Sequence, residues 1–256
     1  MDNHDHALSA LPVALLVTPL LGLHSPVDIA MLAVTMAGWA TGPDIDCAGS
    51  DPTHLFGPVG RALSRIIRSY SAWIYHHTGG NPRSAGTHRC VTHTPLHCIL
   101  LGLAAVITTT RPGEFGAIAA VVWLVVGFGL ALISMHRVAA IVLAVGLAVW
   151  LIGTPLSGHD IITTVAGHAP WIGYAVGLGV LVHLAGDALT TAGIPALWPF
   201  TWRDYGFLPR PLRFTSCGGF EHVFVRTVLL AVTLLLIPGV WPLAVGLFHD
   251  VRGGVQ

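Results

Sequence analysis

His183 and Asp187 stand four residues apart in "GVLVHLAGDALTTAGIPALWP" (179–199). On a helix that spacing puts an imidazole and a carboxylate on one face, where they can hold a single metal ion or bridge two. Asp44 and Asp46 lie in "GPDIDC" (42–47), and His88, Arg89 and His93 lie in "GTHRCVTHT" (86–94). Two neighbouring aspartates repel unless a cation sits between them, although a Gly-Pro-Asp turn would place the pair for local reasons alone. His88 and His93 are five apart and would not share a face of a regular helix, which puts at least His88 in the preceding loop. Mixed imidazole and carboxylate donors suit zinc, manganese or iron better than magnesium or calcium, and this many donors leave room for two or more divalent ions. Arg89 could recognise a phosphate through its planar fork or could pair with a carboxylate; its type fits both readings.

These polar residues sit in a chain with 9% charged and 54% hydrophobic residues, where soluble domains average roughly 25% charged. Runs such as "FGAIAAVVWLVVGFGLALIS" (115–134) and "VAAIVLAVGLAVWLIG" (138–153) carry no charge and approach the roughly 20 residues that cross a bilayer. Apolar segments fall at about 7–23, 27–40, 94–110, 115–134, 138–153, 171–189 and 223–248. The second is short, and "IPGVWP" (237–242) could kink or split the last. The expectation is an all-α fold, a polytopic transmembrane helical bundle of about six or seven spans whose cytoplasmic loops carry a metal site. Residues 1–256 read as one integral membrane domain.

All 12 basic residues are arginine and the formal net charge is zero, which gives nucleic-acid binding little support. The opening "MDNHDHALSALPVALLV" has two aspartates and no arginine before its apolar stretch, so a cleaved leader is not expected. Cys47, Cys90, Cys98 and Cys217 show no CxxC spacing and are expected as reduced thiols. Arg61, Arg65, Arg68, Arg83 and Arg89 lie between 41 and 93, and Arg203, Arg210 and Arg213 between 190 and 222, so the positive-inside rule places both loops in the cytoplasm. Alternating the spans from there brings His6, Asp44, Asp46, His88, His93, His183, Asp187 and Glu221 to one membrane depth on the inner side. Ionisable groups at that depth are costly and mark function by default. His24, His159, His168 and His249 fall on the outer side, and His97 is expected to pack near the site rather than to ligate.

Within 58–77, Val59, Leu63, Ile66, Tyr70 and Trp73 recur at spacings of four and three, with Arg61, Arg65 and Arg68 on another face. An interfacial amphipathic helix explains the pattern, its arginines toward anionic lipid headgroups and its aromatics in the interface.

The three motifs together resemble the YdjM family of inner-membrane metal-dependent hydrolases, also described as LexA-binding, whose pattern runs approximately PDxDH, HRGxTHS and HxxxDxxTxxGxxxLWP. The resemblance runs from His6 to Glu221 and marks His6, Asp44, Asp46, His88, Arg89, His93, His183, Asp187 and Glu221. Cys47 stands where a histidine is usual, Cys90 where a glycine is, and Thr94 where a serine is. The order of ligands is also similar to that of zinc-dependent phospholipase C and of single-strand-specific zinc nucleases. The resemblance implies a bacterial inner-membrane hydrolase with a two- or three-metal site, zinc foremost, acting at the cytoplasmic surface on a phosphoester such as a phospholipid headgroup. In that reading Asp46 is a ligand or base, Arg89 stabilises phosphate charge, and Glu221 is a ligand or proton acceptor. Two other readings stand beside it: a metal-binding scaffold that docks a soluble regulator, and a transporter in which His183 and Asp187 bind a travelling cation or proton. For the transporter no inverted repeat is visible. The sequence leaves the oligomeric state open.

Overall fold

The computed structural model describes residues 1–55, 57–135 and 161–237, with side chains over the same range except 161–170. The described residues are helical, with no strand beyond the isolated bridges Thr190–Phe214 and Ile194–Tyr205. Helices run over Asn3–Val17 (α1), Pro26–Trp39 (α2), Asp51–His54 (α3), Pro58–His77 (α4), Pro95–Thr109 (α5), Glu114–Ser134 (α6), Ile161–Ala188 (α7) and Arg226–Leu236 (α8). The expected apolar segment at 138–153, the "PGVWP" part of the last one, and the outer-side histidines His159, His168 and His249 lie outside the described side chains.

α7 is the axis of the bundle, packed against α2, α5 and α6. Ile172, Val176, Val180 and Leu184 recur every four residues and are buried, the stripe a helix needs to bury one face. Gly179, His183 and Asp187 form the neighbouring stripe. A Cβ on Gly179 would lie 2.6 Å from the Met36 carbonyl, and one on Gly38 would lie 1.8 Å from the Gly127 carbonyl. Only glycine lets α2 approach α7 and α6 this closely. α7 starts ten residues before the sequence places its apolar segment, because "IITTVAGHAP" is too polar to read as a span yet still continues the helix.

Glu114–Ser134 and Trp171–Ala188 are long and apolar enough to cross a membrane, and Pro95–Thr109 is apolar but shorter. α1, α2 and α5 have 14 or 15 residues, about 21–23 Å of helix against a hydrocarbon core of about 30 Å. The start of α1, the ends of α2, α6 and α7 and the start of α5 meet at one end, where His4 Nδ1 lies 3.2 Å from the Ser134 carbonyl, Ser134 Oγ lies 3.3 Å from Thr41 Oγ1 and His183 Nδ1 lies 2.7 Å from the Ala40 carbonyl.

α4 spans the residues expected to be helical, Pro58–His77. Its inward residues are Gly60, Ser64, Ser71 and Tyr75, while Val59, Leu63, Ile66, Tyr70 and Trp73 are 47–68% exposed. A helix that turns small and polar residues inward and large apolar ones outward is inverted relative to a water-soluble surface helix. Trp202 donates to Thr78 Oγ1 at 2.9 Å and its ring packs on Tyr75, which ties the end of α4 to the loop after α7.

Candidate metal centre

Helix termini build the centre. The last carbonyls of a helix lack intrahelical partners, and at the end of α2 the Ala40 carbonyl takes His183 Nδ1 at 2.7 Å. Beyond it a 3-10 turn, Gly42–Asp46, carries both aspartates. Thr94 caps α5, its hydroxyl accepting the His97 N–H at 3.1 Å, with Pro95 in the first helical position. That start fixes His93 immediately before the helix.

The centre's geometry follows from tautomers. A carbonyl only accepts, so His183 Nδ1 carries a hydrogen and the Nε2 of a neutral His183 ring is a lone pair. That Nε2 faces His93 Nε2 at 3.0 Å. Around the two nitrogens, Asp44 Oδ1 lies 3.4 Å from His93 and 3.8 Å from His183, and Asp187 Oδ2 lies 3.5 and 3.8 Å from the same atoms. A tetrahedral ion with ligand distances of about 2.0–2.2 Å requires ligands about 3.3–3.5 Å apart, and the observed edges bracket that value. All but Asp44 among the four residues are completely buried. Asp187 Oδ2, buried and pointing into this gap, has no hydrogen-bond partner. A buried carboxylate oxygen left unpaired is costly, and a cation in the gap would satisfy it.

Asp46 plays a different part from Asp44. Its Oδ1 takes His88 Nδ1 at 2.6 Å and its Oδ2 is bonded by the Thr92 hydroxyl, 3.4 Å from His93 Nδ1. It therefore orients two imidazoles from behind, as carboxylates do for metal-bound histidines. Burial pushes the Asp44 carboxyl up, but His183, His93 and His6 outweigh it and hold the group well below the usual range. Burial likewise opposes ionisation of Asp46, yet His93 and His88 bring it down to about 2. Burial disfavours charge on His93, whereas Asp46, Asp44 and Asp187 push it up to about 10. Without metal, these carboxylates favour the protonated form of His93, whose Nε2–H would point at the His183 lone pair, where a cation would otherwise sit.

Arg89 adopts φ +52°, a left-handed conformation uncommon for a side-chain-bearing residue. Its guanidinium donates to Asp187 Oδ1 at 2.8 Å, Ser216 Oγ at 3.2 Å and Thr190 Oγ1 at 3.3 Å. The carboxylate pairing expected as one alternative is thus present, with Asp187. The Met1 amino group lies 2.5 Å from the same Oδ1, and His6 Nε2 lies 3.3 Å from it. His6 stacks on His183 with centroids 3.8 Å apart, and both its ring nitrogens are buried without hydrogen-bond partners. Gly186 allows this stack, since a Cβ there would lie 3.2 Å from His6 Nδ1. Two donor groups capable of holding an ion result, Asp44/Asp46/His88/His93 and His6/His183/Asp187.

Of the ligands expected from sequence, Glu221 alone stays outside both groups. It is buried, but its oxygens accept the backbone N–H of Asp2 at 2.6 Å and of Cys217 at 2.9 Å. Burial, with Asp46 and Asp204, pushes the Cys90 thiol up to about 12, which makes it a poor thiolate ligand. The four cysteines are unpaired. Sequence reasoning passed over Thr92, Thr190 and Ser216, which hold Asp46 and Arg89. Thr92 lies inside the "HRCVTH" motif, but nothing in a lone serine or threonine elsewhere signals such a role. His97, expected near the site, lines an apolar cavity beside it.

The fold and this centre define a helical membrane protein with a buried histidine–aspartate cluster suited to metal. Residues 1–245 match the family described as YdjM inner membrane protein, and the chain belongs to that family. No curated protein and no solved structure matches it.

Proposed function

We propose that this chain is a metal-dependent hydrolase of a membrane phosphoester, with about six or seven spans and its site at the cytoplasmic surface. The observation that carries the reading is the gap between His93 and His183, where the two ring nitrogens lie 3.0 Å apart, Asp44 Oδ1 and Asp187 Oδ2 each lie 3.4–3.8 Å from them, and Asp187 Oδ2 is buried and unpaired. Zinc suits such a nitrogen–oxygen set, and manganese or iron could replace it. His6 and the Asp46–His88 arm offer donors for a second ion.

A cleft of about 680 Å³ opens onto the centre, lined by Asp44, His88, Arg89, Thr191, Ser216 and Cys217, a volume in the range of small-molecule sites. A divalent cation in the gap supplies Lewis acidity toward a phosphoryl oxygen and makes water acidic enough to attack near neutral pH. The chain's own residues do the rest. Arg89, 18% exposed at the cleft, offers its remaining N–H groups to a phosphate oxygen. His88, with its side chain 39% exposed and held by Asp46, can carry a proton between cleft and solvent. The arginines of α4, with its outward apolar face, hold the cleft against anionic headgroups, each arginine contributing about 1 kcal/mol near the surface.

The test is metal content and lipid hydrolysis on one preparation of the full chain. Stoichiometric metal with turnover on phospholipid vesicles, both lost in His183→Ala, is the expected result. Metal retained without turnover on any ester would favour the scaffold that docks a soluble regulator. A protein that binds no metal even when supplied with zinc or manganese would end the reading.

A further inference from the structure

Beside the centre, and separated from the cleft by the turn Gly42–Asp46, lies a second cavity of about 460 Å³. Its walls include Gly60 and Ile67 on the inner side of α4, Ile45 in the turn, Leu101 on α5, and Val126 and Leu130 on α6, with Trp39 at the end of α2. The polar side chains among them are Thr92, engaged with Asp46, Ser71, whose hydroxyl accepts the Val91 N–H at 3.4 Å, and the ends of Tyr70 and His97. Walls this largely apolar favour hydrocarbon over water.

We propose that this cavity seats one acyl chain of a membrane lipid. Three observations commit it to that occupant. Its rim residues Leu63 and Tyr70 are 47% and 57% exposed, so the walls run on into the outward apolar face of α4. On α6, Val126 lines the cavity while Val122, one turn away, is 53% exposed on the side of a helix long and apolar enough to span. A lateral opening toward the bilayer follows. The volume also leaves room for no more than about one helical turn, since a turn of about 10 Å diameter and 5.4 Å pitch occupies about 420 Å³, whereas a chain one methylene wide fits along its length.

The shared wall gives the cavity its meaning. Within Gly42–Cys47, Pro43 and Ile45 face the cavity while Asp44 and Cys47 face the polar cleft. A lipid whose chain lies under α4 keeps its phosphate at the level of Arg89 and His88. Resting on the hydrolase reading, this makes the substrate class an acylated phospholipid selected by its chain as well as its headgroup.

The experiment uses the full chain in phosphatidylethanolamine–phosphatidylglycerol vesicles doped with a phospholipid carrying a photoreactive diazirine in its acyl chain. Cross-links should map to peptides holding Ile67, Val126 and Leu130. They should be lost in Ile67→Trp and in Val126→Trp, which fill the cavity from opposite walls, and kept in Val122→Trp, which adds the same bulk outside. Both filling variants should lower turnover on long-chain phospholipid while sparing a small soluble phosphoester. Cross-links confined to the outward faces, or unchanged in both filling variants, would overturn the proposal. Cavity cross-links in a protein that hydrolyses nothing would leave the acyl site standing and remove the hydrolase reading alone.

Discussion

Asp187 and Glu221 lie in the same polar layer and are equally buried, at 0% exposure, yet their oxygens are used in opposite ways. Both oxygens of Glu221 are taken by backbone N–H groups, which closes the carboxylate within the fold. Asp187 has one oxygen crowded by Arg89, His6 and the Met1 amine and the other without a hydrogen-bond partner, facing two imidazole nitrogens. A buried acid alone therefore does not mark a ligand. An unpaired lone pair among other unpaired lone pairs does, because a protein keeps such atoms only where something else satisfies them.

The largest effect expected from this contrast is at His183. His183→Ala removes one of the two facing nitrogens without leaving a charge unpaired, so the helix should persist while bound metal falls to background. Elemental analysis with far-ultraviolet circular dichroism checks it. Metal retained at the wild-type level would reduce His183 to a helix-capping residue on the Ala40 carbonyl.

A smaller loss is expected one step back. Asp46→Asn leaves the gap intact but weakens the hold on His93 and His88, and should cost about 10–100-fold in metal affinity. Titration with a competing chelator measures this, and an affinity as low as that of His183→Ala would make Asp46 a direct ligand.

Protons sharpen the same comparison. In metal-free protein the His93 value is raised from 6.5 to about 10, so its contribution to stability is complete below 6.5 and disappears as pH climbs through 10. Asp46 is lowered from 3.8 to about 2, so its contribution is present above 3.8 and disappears as pH falls through 2. Metal-free protein should therefore be most stable between these limits, from about pH 4 to 6.5, as thermal melts across pH would show. Metal must expel the His93 proton, so affinity should rise about tenfold per pH unit through neutrality. Calorimetry in buffers of different ionisation enthalpy should count one proton released. An affinity independent of pH would place the ion away from His93.

Much of this arrangement is legible in the order of residues alone. The spacing of His183 and Asp187 and the outward stripe of α4 are periodic, and periodicity survives folding; the site residues expected at one level do meet at one end of the bundle. The pairing of Arg89 with Asp187 rather than with Asp44 is not legible, because it depends on where a loop with a left-handed residue returns to the end of α7. Nor is the division of labour between Asp44 and Asp46. Two residues apart on a 3-10 turn, they point to different partners, one to the gap and one to the imidazoles behind it. The cavity under α4 escapes the sequence, since its walls are assembled from segments far apart in the chain and most of its residues are ordinary apolar ones. Glu221 illustrates the converse, in that its type and position at the start of a span fit a ligand, while the backbone amides that occupy it leave no trace in sequence.

The smallest expected effect is the one that separates the two acids most cleanly. Glutamine at 221 keeps the shape of glutamate but replaces one acceptor oxygen with an NH₂ group. One of the N–H groups of Asp2 and Cys217 must then face a donor, and leaving such a group unpaired in a buried site costs about 1–3 kcal/mol. Glu221→Gln should lower the melting temperature by a few degrees, for roughly 1 kcal/mol shifts a chain of this size by about 2–4 °C, and should leave metal content and affinity unchanged. Glu221→Asp keeps both oxygens but shortens the reach to the two amides, and should also destabilise without loss of metal. If instead Glu221→Gln empties the site while the melt stays in place, the carboxylate turns from these amides to the ion when metal binds. The contrast between Asp187 and Glu221 would then belong to the metal-free state alone.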